Sequence, residues 1–176
     1  MLTSDQIIEL LALVPLPVEG GYYRQSYIAE EGIPTSALPS RYSGPKPFSS
    51  AIYYLLFDDQ FSALHRLPTD EIYHHYLGDP VEMLLLYPDG QSRKIVGGGD
   101  LLAGQTLQWV APAGVWQGSR LIPGGRLALM GTTMAPAYGP EDFELGERPD
   151  LLRQFPGEGE LIRALTREDQ DHRIGS

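Results

Sequence analysis

The stretch Phe61-Ser62-Ala63-Leu64-His65-Arg66-Leu67-Pro68-Thr69-Asp70-Glu71-Ile72-Tyr73-His74-His75-Tyr76-Leu77-Gly78-Asp79-Pro80 decides the fold. Phe61 to Leu67 and Glu71 to Leu77 alternate with the period of two that a half-buried strand requires. Gly78-Asp79-Pro80 then closes the pair with turn-forming residues. Upstream, Ser50-Ala51-Ile52-Tyr53-Tyr54-Leu55-Leu56-Phe57 reads as a strand ended by the turn Asp58-Asp59-Gln60. Downstream, Val81 to Tyr87 runs into Pro88-Asp89-Gly90, and further short strands fit at Ser92–Val96, Thr106–Val110, Ser119–Ile122 and Arg126–Met134. Many short strands punctuated by Gly/Pro turns indicate a sandwich or barrel. The 20 glycines and 15 prolines fall largely at those turns. The class is all-β.

The two ends differ from this centre. Ser4 to Leu13 places Ile7, Ile8, Leu10 and Leu11 on one helical stripe, with Thr3 or Ser4 as its cap and Pro15 and Pro17 as its stop. Glu19-Gly20-Gly21 is a glycine hinge before an aromatic-rich strand, Tyr22 to Tyr27, and Glu30 to Lys46 reads as a long surface loop. Asp150 to Phe155 and Glu158 to Arg167 read as helices broken by Pro156-Gly157, and Glu168 to Ser176 as a fraying polar end. One domain over 1–176 is expected: a helix and linker over 1–17, a barrel over 18–140, a helical extension over 141–176.

Composition narrows the function classes. With 176 residues the chain can bury a core without staples. No cysteine is present, which excludes disulfides, zinc ribbons, iron–sulfur clusters and thiol nucleophiles. Thirteen basic against 23 acidic residues give a charge of -10, which repels nucleic acid and anionic membranes. No apolar run reaches the ~18 residues of a membrane span. The start, MLTSDQIIELL, lacks the basic segment of a signal peptide. A soluble, cytoplasmic domain whose partner is a small molecule is the expectation.

Chemistry concentrates in the deciding stretch. Three of the four histidines, His65, His74 and His75, lie within eleven residues, with Glu71 among them. Alternation puts Glu71, Tyr73 and His75 on one face, and Phe61, Ala63, His65 and Leu67 on one face of the preceding strand. If both faces turn inward, His65, Glu71 and His75 converge. Such a set holds a divalent transition metal or moves a proton near neutral pH. The plainer reading is also open: tandem His74-His75 sends one ring to each face, and a His/Glu pair in a barrel can be a structural hydrogen bond.

The spacing resembles that of the cupins, whose first motif has the form G-x5-H-x-H-x3/4-E-x6-G and whose second has the form G-x5-P-x-G-x2-H-x3-N. His65, Glu71 and Gly78 match the first, with Leu67 in place of its second histidine; Pro112-Ala113-Gly114-Val115-Trp116-Gln117 matches the second, with Gln117 in place of its histidine. The wording Glu19-Gly20-Gly21-Tyr22-Tyr23-Arg24, Asp70-Glu71-Ile72-Tyr73-His74-His75-Tyr76, Pro112 to Gly118 and Glu141-Asp142-Phe143-Glu144 is similar to one branch of single-domain cupins without an assigned function. The resemblance covers roughly residues 5 to 165. It implies a double-stranded β-helix, or jelly-roll, barrel with an N-terminal helix and short C-terminal helices. It also implies a homodimer closed by exchange of N-terminal strands.

Three functions follow from the resemblance. In the first, a small polar, carbohydrate-like molecule is bound in the barrel by an epimerase- or isomerase-like enzyme. His65 is then the base, Glu71 fixes its tautomer, and Tyr138 is the acid, with Tyr53 and Tyr73 as rivals. In the second, His65, Glu71 and Gln117, with His75 as an addition, hold a metal. An amide oxygen is a hard donor, so manganese, iron or magnesium is favoured. The third is a binding module without catalysis. Arg24, Tyr53, Tyr73, His75, Trp116 and Gln117 are the candidate substrate-binding residues, Arg24 for a phosphate or carboxylate and Trp116 as a stacking platform. Surface ion pairing and core packing are their plainer roles. Asp142 and Glu144 fit a pocket rim or a solvated turn equally. Gly97-Gly98-Gly99 lacks the setting of a phosphate loop and reads as a flexible connection. No G-x-S-x-G hydrolase signature occurs.

Overall fold

The computed structural model describes residues 2–168. The polar end expected to fray falls, beyond Glu168, outside the described residues. In chain order the elements are α1 (Ser4–Leu11), β1 (Val14–Pro15), β2 (Tyr22–Ile28), β3 (Gly32–Ile33), β4 (Lys46–Pro47), β5 (Ser50–Phe57), β6 (Phe61–Arg66), β7 (Glu71–Gly78), β8 (Val81–Leu86), β9 (Ser92–Gly97), β10 (Gln108–Ala111), β11 (Trp116–Leu121), β12 (Leu127–Met134), β13 (Glu144–Leu145), α2 (Arg148–Gln154) and α3 (Gly159–Ala164). Two antiparallel sheets face one another, ordered β1-β2-β5-β12-β7-β10 and β13-β6-β11-β8-β9. This is a jelly roll, and it is the arrangement the short-strand pattern predicts.

Three apolar clusters hold the layers. Tyr54, Tyr73, Met83, Leu85, Met130 and neighbours fill the space between the sheets. Ile7, Leu13, Leu55 and Leu129 join α1 to the outer face of the first sheet. Leu64, Leu84 and Leu86 meet Leu151, Phe155, Leu161 and Ile162 of α2 and α3 on the outer face of the second. Each sheet is thus apolar on both faces, which explains continuous runs such as Met83-Leu84-Leu85-Leu86. Burial of this kind, at about 25 cal/mol per Å² of apolar surface, is the main force holding the helices on.

Several local expectations need correction. α1 stops at Leu11, before the prolines, because Ala12 turns left-handed (φ 50°) and swings Leu13 back into the cluster with Ile7. Its start is as read: Thr3 Oγ1 accepts from the Gln6 amide at 3.3 Å, while Gln6 Oε1 accepts from the Thr3 amide at 3.0 Å. Within the 30–46 loop, β3 pairs with β4, and Lys46 is buried. Gly97 ends β9 with the Trp109 ring lying where a side chain would stand, so this glycine serves close packing rather than flexibility.

The alternation expected for β6 is broken. Ser62 pairs with Ser119 and His65 with Gln117, so Ala63 and Leu64 stand opposite Gly118 alone. That bulge turns Phe61 and Leu64 to the outer helical cluster while Ser62 and His65 face inward. Phe61 and His65 therefore do not share a face.

Candidate functional site

Between the sheets lies a cavity of about 470 Å³, lined by His65, Glu71, Glu19 and Tyr138 among largely apolar neighbours. Its size suits a small organic molecule. β6 presents His65 and, in the other sheet, β7 presents Glu71; both are buried. Tyr138, Pro140 and Phe143 line it, and Phe143 stacks on the His65 ring at 5.0 Å between centroids.

His65 Nδ1 lies 2.7 Å from the backbone oxygen of Ala63. A carbonyl only accepts, so Nδ1 carries the hydrogen, and in the neutral ring the lone pair is on Nε2. The tautomer is therefore set by the backbone and not by Glu71, which corrects the expected His65–Glu71 bond. Glu71 has its own partners: the Tyr73 hydroxyl donates to Oε2 at 3.1 Å and Gln117 Nε2 donates to the same oxygen at 2.8 Å. Burial, with Glu71 beside it, holds the Tyr73 hydroxyl well above its usual range.

Glu19 is the residue that sequence reasoning missed. Its Oε1 accepts from Ser62 Oγ at 2.8 Å, and it lines the cavity. Burial pushes its carboxyl up, and Glu71 adds to this, against the opposing influence of His65. The signal was the Glu19-Gly20-Gly21 hinge: Gly20 has φ 106°, and a side chain there would strike the Phe61 carbonyl. Only glycine lets the chain press Glu19 against β6. Tyr138 lines the same cavity, and burial, with Glu19 nearby, pushes its hydroxyl up to about 12.

Six residues expected at the site or its rim lie elsewhere. Arg24 pairs with Tyr53 across β2 and β5 and sits over that ring at 5.4 Å. Both belong to the outer face, since Tyr53 packs against the α1 cluster. Their neighbours Tyr23, Gln25 and Ile52 are the ones that reach the cavity. Trp116 packs on the α2–α3 side beneath Arg66, at 4.5 Å, instead of bordering the mouth. His75 turns to the Asp79 backbone oxygen at 3.3 Å and does not line the cavity. Asp142 pairs with Lys46 at 2.6 Å, and Glu144 with Arg66 at 2.7 Å.

A jelly roll with an inward histidine and glutamate from facing sheets at its cavity is the architecture of a cupin. The chain belongs to the family described as Cupin superfamily (DUF985), which it matches over residues 5–146. It is 30% identical over 112 residues to the uncharacterized yeast protein YML079W of Saccharomyces cerevisiae, a match covering 62% of this chain and 56% of the yeast protein. The chain thus spans little more than half of that relative. Protein SO0799 from Shewanella oneidensis is 31% identical, with a TM-score of 0.84 over 96% of this chain and all of that one. Oxalate decarboxylase OxdC from Bacillus subtilis shares the fold alone, at 15% identity and a TM-score of 0.51, over 89% of this chain and 38% of that one.

That decarboxylase has Mn(II) centres. The residues here do not fit such an ion. Leu67 and Gln117 stand at two of the motif's ligand positions, and Glu71 Oε2 is shared by two donors. Among the described residues no three His, Asp or Glu side chains gather to hold a metal. Gln117, expected to offer an oxygen beside His65 and Glu71, instead points its amide nitrogen at Glu71. Among the described residues no helix is long and apolar enough to cross a membrane.

Proposed function

We propose that the barrel binds a small molecule and moves a proton on it, as an isomerase-type acid–base enzyme. The observation that carries this reading is the His65 Nδ1 bond to Ala63, which leaves a basic Nε2 in a largely apolar cavity. His65 Nε2 takes a hydrogen from carbon beside a carbonyl, and the electron pair moves onto the carbonyl oxygen. The Glu19 carboxyl, in its protonated form, donates to that oxygen while charge develops there. The Tyr138 hydroxyl returns a proton to carbon from the opposite face as the carbonyl re-forms, and His65 gives up its proton to solvent while the Tyr138 phenolate regains one, so that both groups are restored with no net gain or loss of electrons. An anionic nucleotide-sugar, as the epimerase resemblance implies, loses support because Arg24 lies outside the barrel.

The test is proton exchange in D2O, followed by loss of the C–H NMR signal of phenylacetone, dihydroxyacetone and aminoacetone. The protein is expected to accelerate exchange of at least one, and His65→Gln to abolish it while retaining the fold. Equal exchange by His65→Gln, or no acceleration by the unaltered protein, would overturn the proposal.

A further inference from the structure

The pairing of β12 with β7 sets Met134 opposite Glu71 and Thr132 opposite Tyr73. Thr132 and Glu71 both line the cavity, so they are diagonal neighbours on the inner face of the first sheet. The Tyr73 hydroxyl and the Gln117 amide both donate to Glu71 Oε2, and neither uses Oε1. Among the described residues nothing else donates to Oε1, yet that oxygen is not sealed in protein. In a residue 7% exposed that lines the cavity, its open surface is the cavity's. Thr132 Oγ1 is in the same state, unpartnered and open in a residue 5% exposed. A carboxylate only accepts, whereas a threonine hydroxyl also donates. This wall therefore offers an incoming molecule one acceptor and one donor side by side.

A hydroxyl group matches that pair, since its hydrogen goes to Glu71 Oε1 while its oxygen accepts from Thr132. An ether oxygen only accepts, and leaves the carboxylate oxygen unmet. Elsewhere in the cavity Leu16, Ile28, Ile52, Leu67 and Phe143 offer apolar surface. No lysine or arginine among the described residues lines it to match an anionic group. We infer that the cavity takes uncharged α-hydroxy ketones with an apolar body, the hydroxyl seated between Glu71 and Thr132. This inference rests on the proposed proton chemistry and names its substrate class. The carbon bearing the hydroxyl is the one that loses hydrogen to His65, and the neighbouring ketone oxygen accepts from Glu19. Return of a proton to the opposite face then converts one enantiomer of the hydroxy ketone into the other, with every atom kept. A hydroxyl that donates to a carboxylate makes a charge-assisted bond, and that bond separates this class from plain ketones.

The experiment titrates the whole protein at neutral pH with phenylacetylcarbinol, its methyl ether, phenylacetone and mandelate, followed by NMR. The carbinol is expected to bind about tenfold more tightly than its ether, a difference of about 1.4 kcal/mol, with mandelate unbound. In Glu71→Gln the amide oxygen stays with the Tyr73 and Gln117 donors and the amide nitrogen turns to the cavity, so the carbinol is expected to lose its advantage. Thr132→Val keeps the side-chain shape and serves if that variant fails to fold. It is expected to weaken the carbinol and the ether about threefold, as loss of one ordinary hydrogen bond does, and to leave phenylacetone unchanged. An ether that binds the unaltered protein as tightly as the carbinol would overturn the inference. So would an advantage that survives Glu71→Gln, unchanged affinities in Thr132→Val, mandelate bound as tightly as the carbinol, or no binding of any probe. Loss of optical activity from one enantiomer of the carbinol reads the chemistry separately. A binding preference without racemisation or exchange would remove only the catalytic proposal, and exchange without the preference only this one.

Discussion

Gln117 on β11 donates to Glu71 on β7 across the barrel at 2.8 Å, joining the two sheets through one buried hydrogen bond. Tyr73, two residues along β7, donates to the same oxygen. A hydrogen bond to a charged group contributes about 1.5–3 kcal/mol. Tyr73→Phe keeps the ring that stacks on Trp109 at 5.4 Å and removes only the hydroxyl. It is expected to lower stability within that range in urea unfolding, with the denaturant slope unchanged. No change in midpoint would show that water replaces the hydroxyl.

Gly20 is held at φ 106° with the Phe61 carbonyl where a side chain would begin. Gly20→Ala is expected to cost about 1–3 kcal/mol from backbone strain and to displace Glu19. Thermal melting reads the first effect, and loss of any proton exchange at the cavity reads the second.

Asp79 caps the turn before β12: its Oδ2 accepts from the Arg126 amide at 2.7 Å and from the Leu127 amide at 3.4 Å. The Arg126 bond holds its carboxyl below the usual value of 3.8. A lowered folded-state pKa stabilises the protein above the unfolded value, and this contribution is lost as pH falls through the lowered one. Asp79→Asn is therefore expected to be less stable at neutral pH and to converge on the unaltered protein in acid below pH 3.8. Urea midpoints measured from pH 7 to pH 2 check this; parallel curves would refute it.

Lys46 is 2% exposed and bonds Asp142 and Glu141, between the cavity-lining Pro140 and Phe143. Burial alone would lower its pKa, but those two carboxylates outweigh it and hold it above 10.5. Its contribution is complete below that value and disappears as pH rises through the raised one. Lys46→Ala leaves Asp142 buried and unpaired and is expected to cost about 3–5 kcal/mol. A loss below about 1 kcal/mol, the range of exposed pairs, would mean that the latch is solvated.

β2 has β5 on one side, while β1 covers its other edge only at Tyr22 and Tyr23. An uncovered edge is a template for another strand. We expect a homodimer using this edge, seen by light scattering at micromolar concentration. A single 19.4 kDa species would contradict it.

How far the site was legible varies residue by residue. His65, Glu71 and Tyr138 do line one cavity, as the motif spacing led one to expect of the first two. Tyr73 and Gln117 reach it through Glu71. Arg24 and Tyr53 stand one residue away from Tyr23, Gln25 and Ile52, which reach the cavity, and Trp116, expected on a turn at the mouth, starts β11 and packs outward. Every sheet here is apolar on both faces, so composition does not tell the lumen from the helix-covered side.

The sequence by itself determined the all-β class, the terminal helices, the strand turns and the family, since these rest on local periodicity and on contiguous motifs. Only the tertiary structure decided which face is inside. It did so through a bulge that sets Ala63 and Leu64 opposite Gly118, and through a hinge that carries Glu19 to Ser62, 43 residues away. Both depend on contacts between segments remote in the chain, and a pattern read along one strand contains no information about the strand it will meet.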